Sequence, residues 1–339
     1  MSDEIFEEYS KEKEPAKYYK SYAWKTAIGL QQVDGLEPSE YLIKTAEQNI
    51  NGDISFDDAH ALISSYYKTS KTKADRTEEA DKVSVRIAQI ISENSFVFSP
   101  VELMTIHKRL FEGIYSHAGR LRDYNITKDE WVLDGDTVTY GNAFNLRETL
   151  EYDFGVEKNF NYNGLSTEHI ISHIARFISN LWQIHIFGEG NTRTTAVFLI
   201  KYLGKLGFNV TNDIFAENSW YFRNALVRAN YNNRAKGVFE TTKYLELFLH
   251  NLLLGEDNVL SNREMHVNYK EVKSSAEETV TRGQLIVEIL QKQPKITLQE
   301  MADEIGKSLR TVKTSIKALQ ESGKIERVGG KKEGSWKVL

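Results

Sequence analysis

A histidine, a glutamate, an asparagine and an arginine crowd into one eleven-residue string, His185-Ile-Phe-Gly-Glu-Gly-Asn-Thr-Arg-Thr-Thr195. A helical pattern runs into it from Thr167 to Gln183, and Ala196-Val-Phe-Leu-Ile-Lys-Tyr-Leu continues a second helix beyond it. A glycine-bearing turn into a helix N-terminus, here through Gly188 and Gly190, presents free backbone N–H groups and the positive end of the helix dipole. Together these bind phosphate. Arg193 adds a planar fork suited to phosphate oxygens. Glu189 offers a carboxylate for a magnesium ion bridging those oxygens. His185, at the loop's entrance, stands where a base can take a proton from an incoming hydroxyl. The plainer alternative is a hydrogen-bonded structural histidine in a connecting loop. A dinucleotide-binding turn is excluded because a helix, not a strand, precedes Gly188-x-Gly190, and a Walker A loop because no Gly-Lys-Ser/Thr follows. A His185/Glu189 metal pair has no further ligand identifiable from the sequence.

The elements that must hold this string are mostly helical. Ser99-Pro100-Val101-Glu102 has the order of a capping box and opens a helix through Leu103, Ile106 and Leu110. Pro38 precedes another helix, and Ser55-x-x-Asp58 caps the next after the stop at Asn51-Gly52. Val83, Ile87, Ile90 and Ile91 share one helical face, as do Ile170, Ile174, Phe177, Ile178 and Leu181. One stretch breaks the pattern. Trp131-Val-Leu, then Asp134-Gly135, then Thr137-Val-Thr-Tyr140 predicts a β-hairpin on an Asp-Gly turn. Residues 256–280 lose periodicity and are the expected linker.

The chain's 339 residues are 40% hydrophobic and 27% charged, a globular balance with length for two or three domains. With no cysteine, disulfide scaffolds, thiolate metal sites and cysteine nucleophiles are excluded. Apolar runs fall short of the roughly 20 residues of a membrane helix, no membrane partner is implied, and the charge-dense start resembles no signal peptide. A cytoplasmic location is the expectation. Residues 281–339 carry twelve Lys and Arg against seven Asp and Glu, or +5; with a chain net of −5, residues 1–280 carry −10. A basic module on an acidic body suggests a local polyanion contact.

That module reads as a winged helix. One helix is predicted over Gln284 to Gln293, a second from the Thr297-x-x-Glu300 capping box to about Gly306, and a third from Ser308 to Gly323. A two-stranded wing follows, with Ile325 and Val328 on one strand and Trp336 and Val338 on the other. Arg310, Lys313, Thr314 and Lys317 fall on the third helix's outward face, as a major-groove reader requires, and Lys331 and Lys332 in the wing loop are placed to hold phosphates. Docking to DNA and docking to protein both remain open.

The string at 185–195 resembles the signature of the Fic family (filamentation induced by cAMP), His-x-Phe-x-Asp/Glu-Gly-Asn-Gly-Arg-x-x-Arg. His185, Phe187, Glu189, Gly190, Asn191 and Arg193 match it. Ile114-Tyr-Ser-His-Ala-Gly-Arg-Leu-Arg122 resembles the family segment before its flap, so the hairpin at 131–140 falls where the flap belongs. The resemblance covers about residues 80–255 and implies a mainly α fold, an all-helical core with one β-hairpin flap. It implies transfer of AMP from ATP, with Mg2+, to a Ser, Thr or Tyr hydroxyl of a target protein. His185 is then the general base, Glu189 the metal ligand, and Gly188, Gly190, Asn191, Thr192 and Arg193 the phosphate cradle. Phe187 anchors the loop. Val138, Thr139 and Tyr140 of the flap dock the target by strand addition, and Tyr231 and Asn232 shape the adenine pocket. Two positions depart from the signature: Thr192 replaces its second glycine and Ala196 its final arginine. Loss of that cation is expected to weaken ATP binding or change the donor.

Residues 27–67 resemble the small antitoxins that inhibit Fic toxins, whose inhibitory Ser/Thr-x-x-x-Glu-Gly pairs with the final arginine of the motif. Leu30-Gln-Gln-Val-Asp34-Gly35 stands at that place. With Asp34 one methylene short, Leu30 in place of the hydroxyl and Ala196 in place of the partner, clamp inhibition through Asp34 is expected to be weakened or absent. The expected organisation is thus an antitoxin-like helical unit over 1–76, a Fic domain over 77–255, the linker 256–280 and the winged helix-turn-helix over 281–339. The leading expectation is a protein adenylyltransferase that modifies a target protein and itself, with DNA a candidate partner of the tail and a homodimer a candidate assembly. The alternative is a DNA-binding transcriptional regulator whose core senses a nucleotide or uses another phosphate-containing donor.

Overall fold

The computed structural model describes residues 15–69, 75–269, 275–305, 309–328 and 335–339. It is mainly α, and among the described residues the only sheet has two strands. The chain divides into two compact units, residues 1–269 and 270–339.

In the first unit, α1 (Pro15–Gly29) runs into a short 3-10 turn, Leu30–Asp34, which Gly35 stops in the left-handed conformation. Gly29 lies where α1 meets a later helix. A Cβ there would sit 2.2 Å from the Ala216 carbonyl oxygen, so only glycine permits that approach. α2 (Glu40–Asn51) starts at Ser39, whose hydroxyl accepts from the Leu42 N–H, and stops at left-handed Gly52. α3 (Phe56–Thr69) starts on the reciprocal Ser55/Asp58 pair. After α4 (Asp75–Ser92), α5 (Pro100–Phe111) begins at Ser99, which accepts from the Glu102 N–H with Pro100 at the first position.

α6 (Leu146–Lys158) and α7 (Thr167–Ile184) lead to the 185–190 loop, and α8 (Asn191–Lys205) leaves it. α8 is buried on every side from Asn191 to Ile200, the mark of a helix at the centre of a core. α9 (Ile214–Ala229), α10 (Lys243–Leu254) and the single turn α11 (Asn262–Met265) complete the unit. One hydrophobic core runs from Ala23 to Met265 and includes residues of α1 to α4 together with those of α8. The antitoxin-like segment and the helical core behind it are therefore one folded body. Each fully buried Leu or Phe side chain in it contributes about 1.5–3 kcal/mol.

Two expectations change. Residues 131–140 form no strands: Trp131–Leu133 is a 3-10 turn, followed by Asp134 and Gly135, both left-handed. The Asp-Gly turn is thus present and its flanking ladder is not. Val132 and Leu133 are neighbours and both fully buried, whereas a half-buried strand would turn one of them outward. The Val132 carbonyl, moreover, is taken by the Val267 N–H at 2.9 Å. The same bond, with buried Met265, shows that the stretch expected as a linker from residue 256 is docked on the first unit as far as Tyr269. Its last residues, from Ser275, already belong to a helix.

The second unit has α12 (Ser275–Lys292), α13 (Leu298–Ile305), α14 (Leu309–Glu321), and the strands β1 (Ile325–Val328) and β2 (Ser335–Val338). The strands pair antiparallel, Ile325 opposite Val338 and Val328 opposite Ser335. Thr297 and Glu300 make the expected reciprocal cap, at 2.9 and 3.2 Å. Ile286, Leu290, Met301, Val312, Ile316 and Trp336 form its separate core. The winged-helix order is as expected, with the first helix starting nine residues earlier than periodicity indicates.

Candidate active site in the 185–195 loop

His185 ends α7 with φ 50°, in the left-handed region that a residue with a Cβ seldom adopts. Arg122 holds it there. Its Nε donates to the His185 carbonyl at 2.7 Å, its backbone N–H to Ile186 O at 2.9 Å, and its terminal nitrogens to the carbonyls of Tyr124, Gly141 and Ile184. One guanidinium thereby satisfies the carbonyl end of α7 and fixes the start of the loop. The His185 ring is 3% exposed, lies 4.3 Å from the Tyr140 ring and stands edge-on to Trp182. Its Nδ1 is 3.2 Å from the Trp182 carbonyl. A carbonyl only accepts, so Nδ1 carries the proton and Nε2 keeps its lone pair. Burial, and then the Lys128 charge, hold its pKa well below 6.5, against the pull of that carbonyl.

The rest of the loop is pinned from behind. Phe187 stacks on His107 at 3.6 Å and 11°. His107 Nε2 donates to the Glu189 carbonyl at 3.0 Å, and its Nδ1 accepts from the Gly119 N–H at 2.8 Å. The Asn191 side chain closes on both polar groups of the Phe187 backbone, at 3.0 and 2.8 Å. The Thr192 hydroxyl accepts from Trp182 Nε1 at 3.0 Å. Gly190 has φ 75°, and a Cβ on it would lie 2.4 Å from the Phe111 ring. The first-turn N–H groups of α8, on Asn191, Thr192 and Arg193, have no intrahelical acceptor and make its end a potential anion site. Asn191 thus spends its side chain inside the loop, contrary to its expected place in a phosphate cradle, while Thr192 keeps only its backbone N–H for a phosphate, the group expected to serve there.

His107 also makes stability depend on pH. Burial pushes its pKa down to about 4 from 6.5, opposed by the Glu189 carbonyl. Between those values the unfolded chain binds a proton that the folded one refuses, so stability falls as pH drops from about 6.5 towards 4. In urea titrations across that range, His107→Gln is expected to flatten the decline; an unchanged slope would assign it to other groups.

Arg193 departs further from expectation. It is 1% exposed and turned away from solvent. Its Nε lies 2.8 Å from Asp34 Oδ2, at ion-pair distance but off the hydrogen-bond line. Its terminal nitrogens reach Glu79 at 2.6 Å, Gln31 at 3.1 Å and the Tyr115 hydroxyl at 3.2 Å, and the group lies over the Phe111 ring. Burial opposes its charge, and Asp34, Tyr115 and Glu79 more than offset that, so its pKa is raised. Asp34 therefore does hold a motif arginine, though not at position 196, where Ala196 is buried in the core. The expectation that Asp34 lacks a partner is corrected by this pair.

Glu189 is the exposed carboxylate of the loop, and Lys128 Nζ lies 3.2 Å from it. Magnesium on a nucleotide takes one or two carboxylates plus phosphate oxygens. Glu189 meets that count by itself; among the described residues no group of three His, Asp or Glu forms a metal cluster. The segment carrying Lys128 is anchored by buried Glu130, which accepts from the Tyr140 hydroxyl at 2.9 Å and lies 2.7 Å from Arg223. Val138 and Tyr140 are buried, Thr139 is exposed, and Gln183 bonds both the Thr139 carbonyl and the Gly141 N–H. Of the expected target-docking residues, only Thr139 has its side chain at the surface. Tyr231 is buried and donates to Asp136 at 2.6 Å, tying the 131–136 turn to the end of α9, while Asn232 is exposed.

Residues 97–203 match the profile of the Fic/DOC family. The chain carries a Fic/DOC domain. Residues 283–326 match that of the winged helix-turn-helix DNA-binding domain. Among solved structures the chain is similar to a Fic family protein from Desulfovibrio desulfuricans G20, at 13% identity over 100% of this chain and 93% of that chain, with a TM-score of 0.46. No curated protein matches it. Within the Fic/DOC domain His107 and Arg122 fix the loop but escape the motif, and Lys128 pairs with Glu189; outside residues 97–203, Glu79 and Gln31 hold Arg193. Arg122 and Gln31 lie in segments that the resemblances single out, the one before the flap and the other in the antitoxin-like stretch.

In the winged helix, Lys313, Thr314 and Lys317 are exposed on α14, opposite buried Val312, Ile316 and Leu319. Lys331, Lys332 and the side chain of Arg310 lie outside the described residues. No helix among the described residues is long and apolar enough to cross a membrane.

Proposed function

We propose that the Fic/DOC domain is a protein adenylyltransferase, moving AMP from ATP to a Ser, Thr or Tyr hydroxyl of a target protein and to itself. One observation carries the reading: a buried His185, its tautomer set by the Trp182 carbonyl, enters the loop that ends at the first turn of α8, whose N–H groups have no intrahelical acceptor. His185 Nε2 takes the proton of the attacking hydroxyl. The hydroxyl oxygen bonds to the α-phosphorus, the bond from that phosphorus to the bridging oxygen breaks, and pyrophosphate leaves. The N–H groups at the start of α8, beside Gly188 and Gly190, hold the phosphates. Glu189 would hold a Mg2+ ion, which would supply neutralisation of phosphate charge. Tyr140, fixed by Glu130, keeps the His185 ring in place. The winged helix binds DNA through Lys313, Thr314 and Lys317, with Arg310, Lys331 and Lys332 completing the contact.

A second reading is favoured by the burial of Arg193 and Ala196, which leaves the motif's side chains short of cations. On it, the domain binds a nucleotide without turnover and the protein regulates transcription. ATP labelled at the α- or the γ-phosphate, incubated with the protein and a cell lysate, separates the two. Protein-bound label from the α position alone is expected for AMP transfer. Label from the γ position alone overturns it in favour of phosphoryl transfer, and bound ATP with neither label transferred favours the regulator.

A further inference from the structure

Among the charged groups around the loop, most cations are already committed. Arg122 is spread over four backbone carbonyls. Arg193 is enclosed by Asp34 and Glu79 at 1% exposure. Arg223 lies against buried Glu130. Position 196 offers a methyl group. A polyphosphate arriving at the α8 N-terminus brings several negative charges, and backbone N–H groups alone supply only partial positive charge against them.

Lys128 is differently placed. Its backbone is fixed, its N–H donating to Thr137 Oγ1 at 3.1 Å, two residues before the doubly held Glu130. Its ammonium reaches out of this anchored segment to Glu189 Oε2 at 3.2 Å, and the two side chains are 28% and 57% exposed. An ion pair this open to water is worth at most about 1 kcal/mol, so it is readily exchanged for a stronger anion. The ammonium is also close enough to His185 to be the leading charge acting on it. Its ammonium therefore sits at the exposed carboxylate of the loop, where the phosphates of a donor must lie if Glu189 acts on it.

We propose that Lys128 is a donor-binding residue, the cation that leaves Glu189 to hold the donor's phosphates and so serves in place of the arginine missing at position 196. The inference rests on the adenylyltransferase reading and deepens it. A point charge on a flexible stem suits this exchange, since it has no fixed fork to realign.

The test is calorimetric titration of full-length protein carrying His185→Ala, which binds without turnover, with Mg2+ and ATP, UTP or inorganic pyrophosphate as probes. Adding Lys128→Met is expected to weaken binding of the probe that binds best by about tenfold or more, and Lys128→Arg to hold it within about threefold. Thermal melts matching the parent within error show that both variants fold; a melt lowered in Lys128→Met but not in Lys128→Arg, with binding lost in both, overturns the proposal in favour of a structural pair. Unchanged affinity in Lys128→Met also overturns it while leaving the adenylyltransferase reading intact. No binding of any probe by the parent overturns both.

Discussion

If the domain transfers AMP as proposed, His185→Ala is expected to lower the rate by about 10²–10⁴-fold, the range for removal of a positioned general base. Donor affinity is expected to stay near that of the parent, because the proposed phosphate contacts are made by the first turn of α8 and not by the imidazole. The wild-type rate also has a diagnostic pH profile. Only neutral His185 can accept the proton, and burial with the Lys128 charge keeps its pKa well below 6.5. The base is therefore fully available at pH 6.5 and above, and the acid limb falls at lower pH than for an ordinary histidine. Steady-state transfer rates across that range, beside nucleotide titrations of the variant, check both statements. A variant that loses binding and rate together would assign His185 to holding the loop.

Arg193→Ala is expected to cost about 1–3 kcal/mol of stability, because it leaves the half-buried Asp34 and Glu79 without the charge that compensates them. The loss appears as a lower urea midpoint. The sharper test adds Asp34→Asn and Glu79→Gln to Arg193→Met. Removing both acids with their partner leaves no uncompensated charge, so the triple variant recovers a large part of the loss. If Arg193 were instead a phosphate ligand, the single variant would fold as stably as the wild type and lose donor affinity.

Local signals in the sequence carry through to the structure because their partners are near in the chain. Ser99, the Ser55/Asp58 pair and the Thr297/Glu300 pair cap the helices that their spacing predicts. The string at 185–195 joins two helices for the same reason, with the second starting at Asn191 rather than Ala196. What is illegible there involves distant residues. Glu79 meets Arg193 across 114 positions and Gln31 meets it across 162. No periodicity marks either of them as a partner for a loop arginine. The phosphate role given to Arg193 followed from its type and place, and the acids that enclose it are visible only in the fold. His107 falls at a core position in the middle of α5, where an apolar spacing argument notices only its neighbours Leu103, Ile106 and Leu110. The hairpin at 131–140 fails for a related reason: the Asp-Gly turn is real, but Val132 and Leu133 are both drawn into the core by contacts from residues near 265.

The central claim is that His185 drives transfer of a whole AMP unit, and intact mass spectrometry of the full-length chain tests it most directly. After incubation with ATP and Mg2+, the wild type is expected to gain the mass of one AMP unit and His185→Ala to gain none. An equal gain in His185→Ala, or a gain of a phosphate group alone in the wild type, would contradict the account.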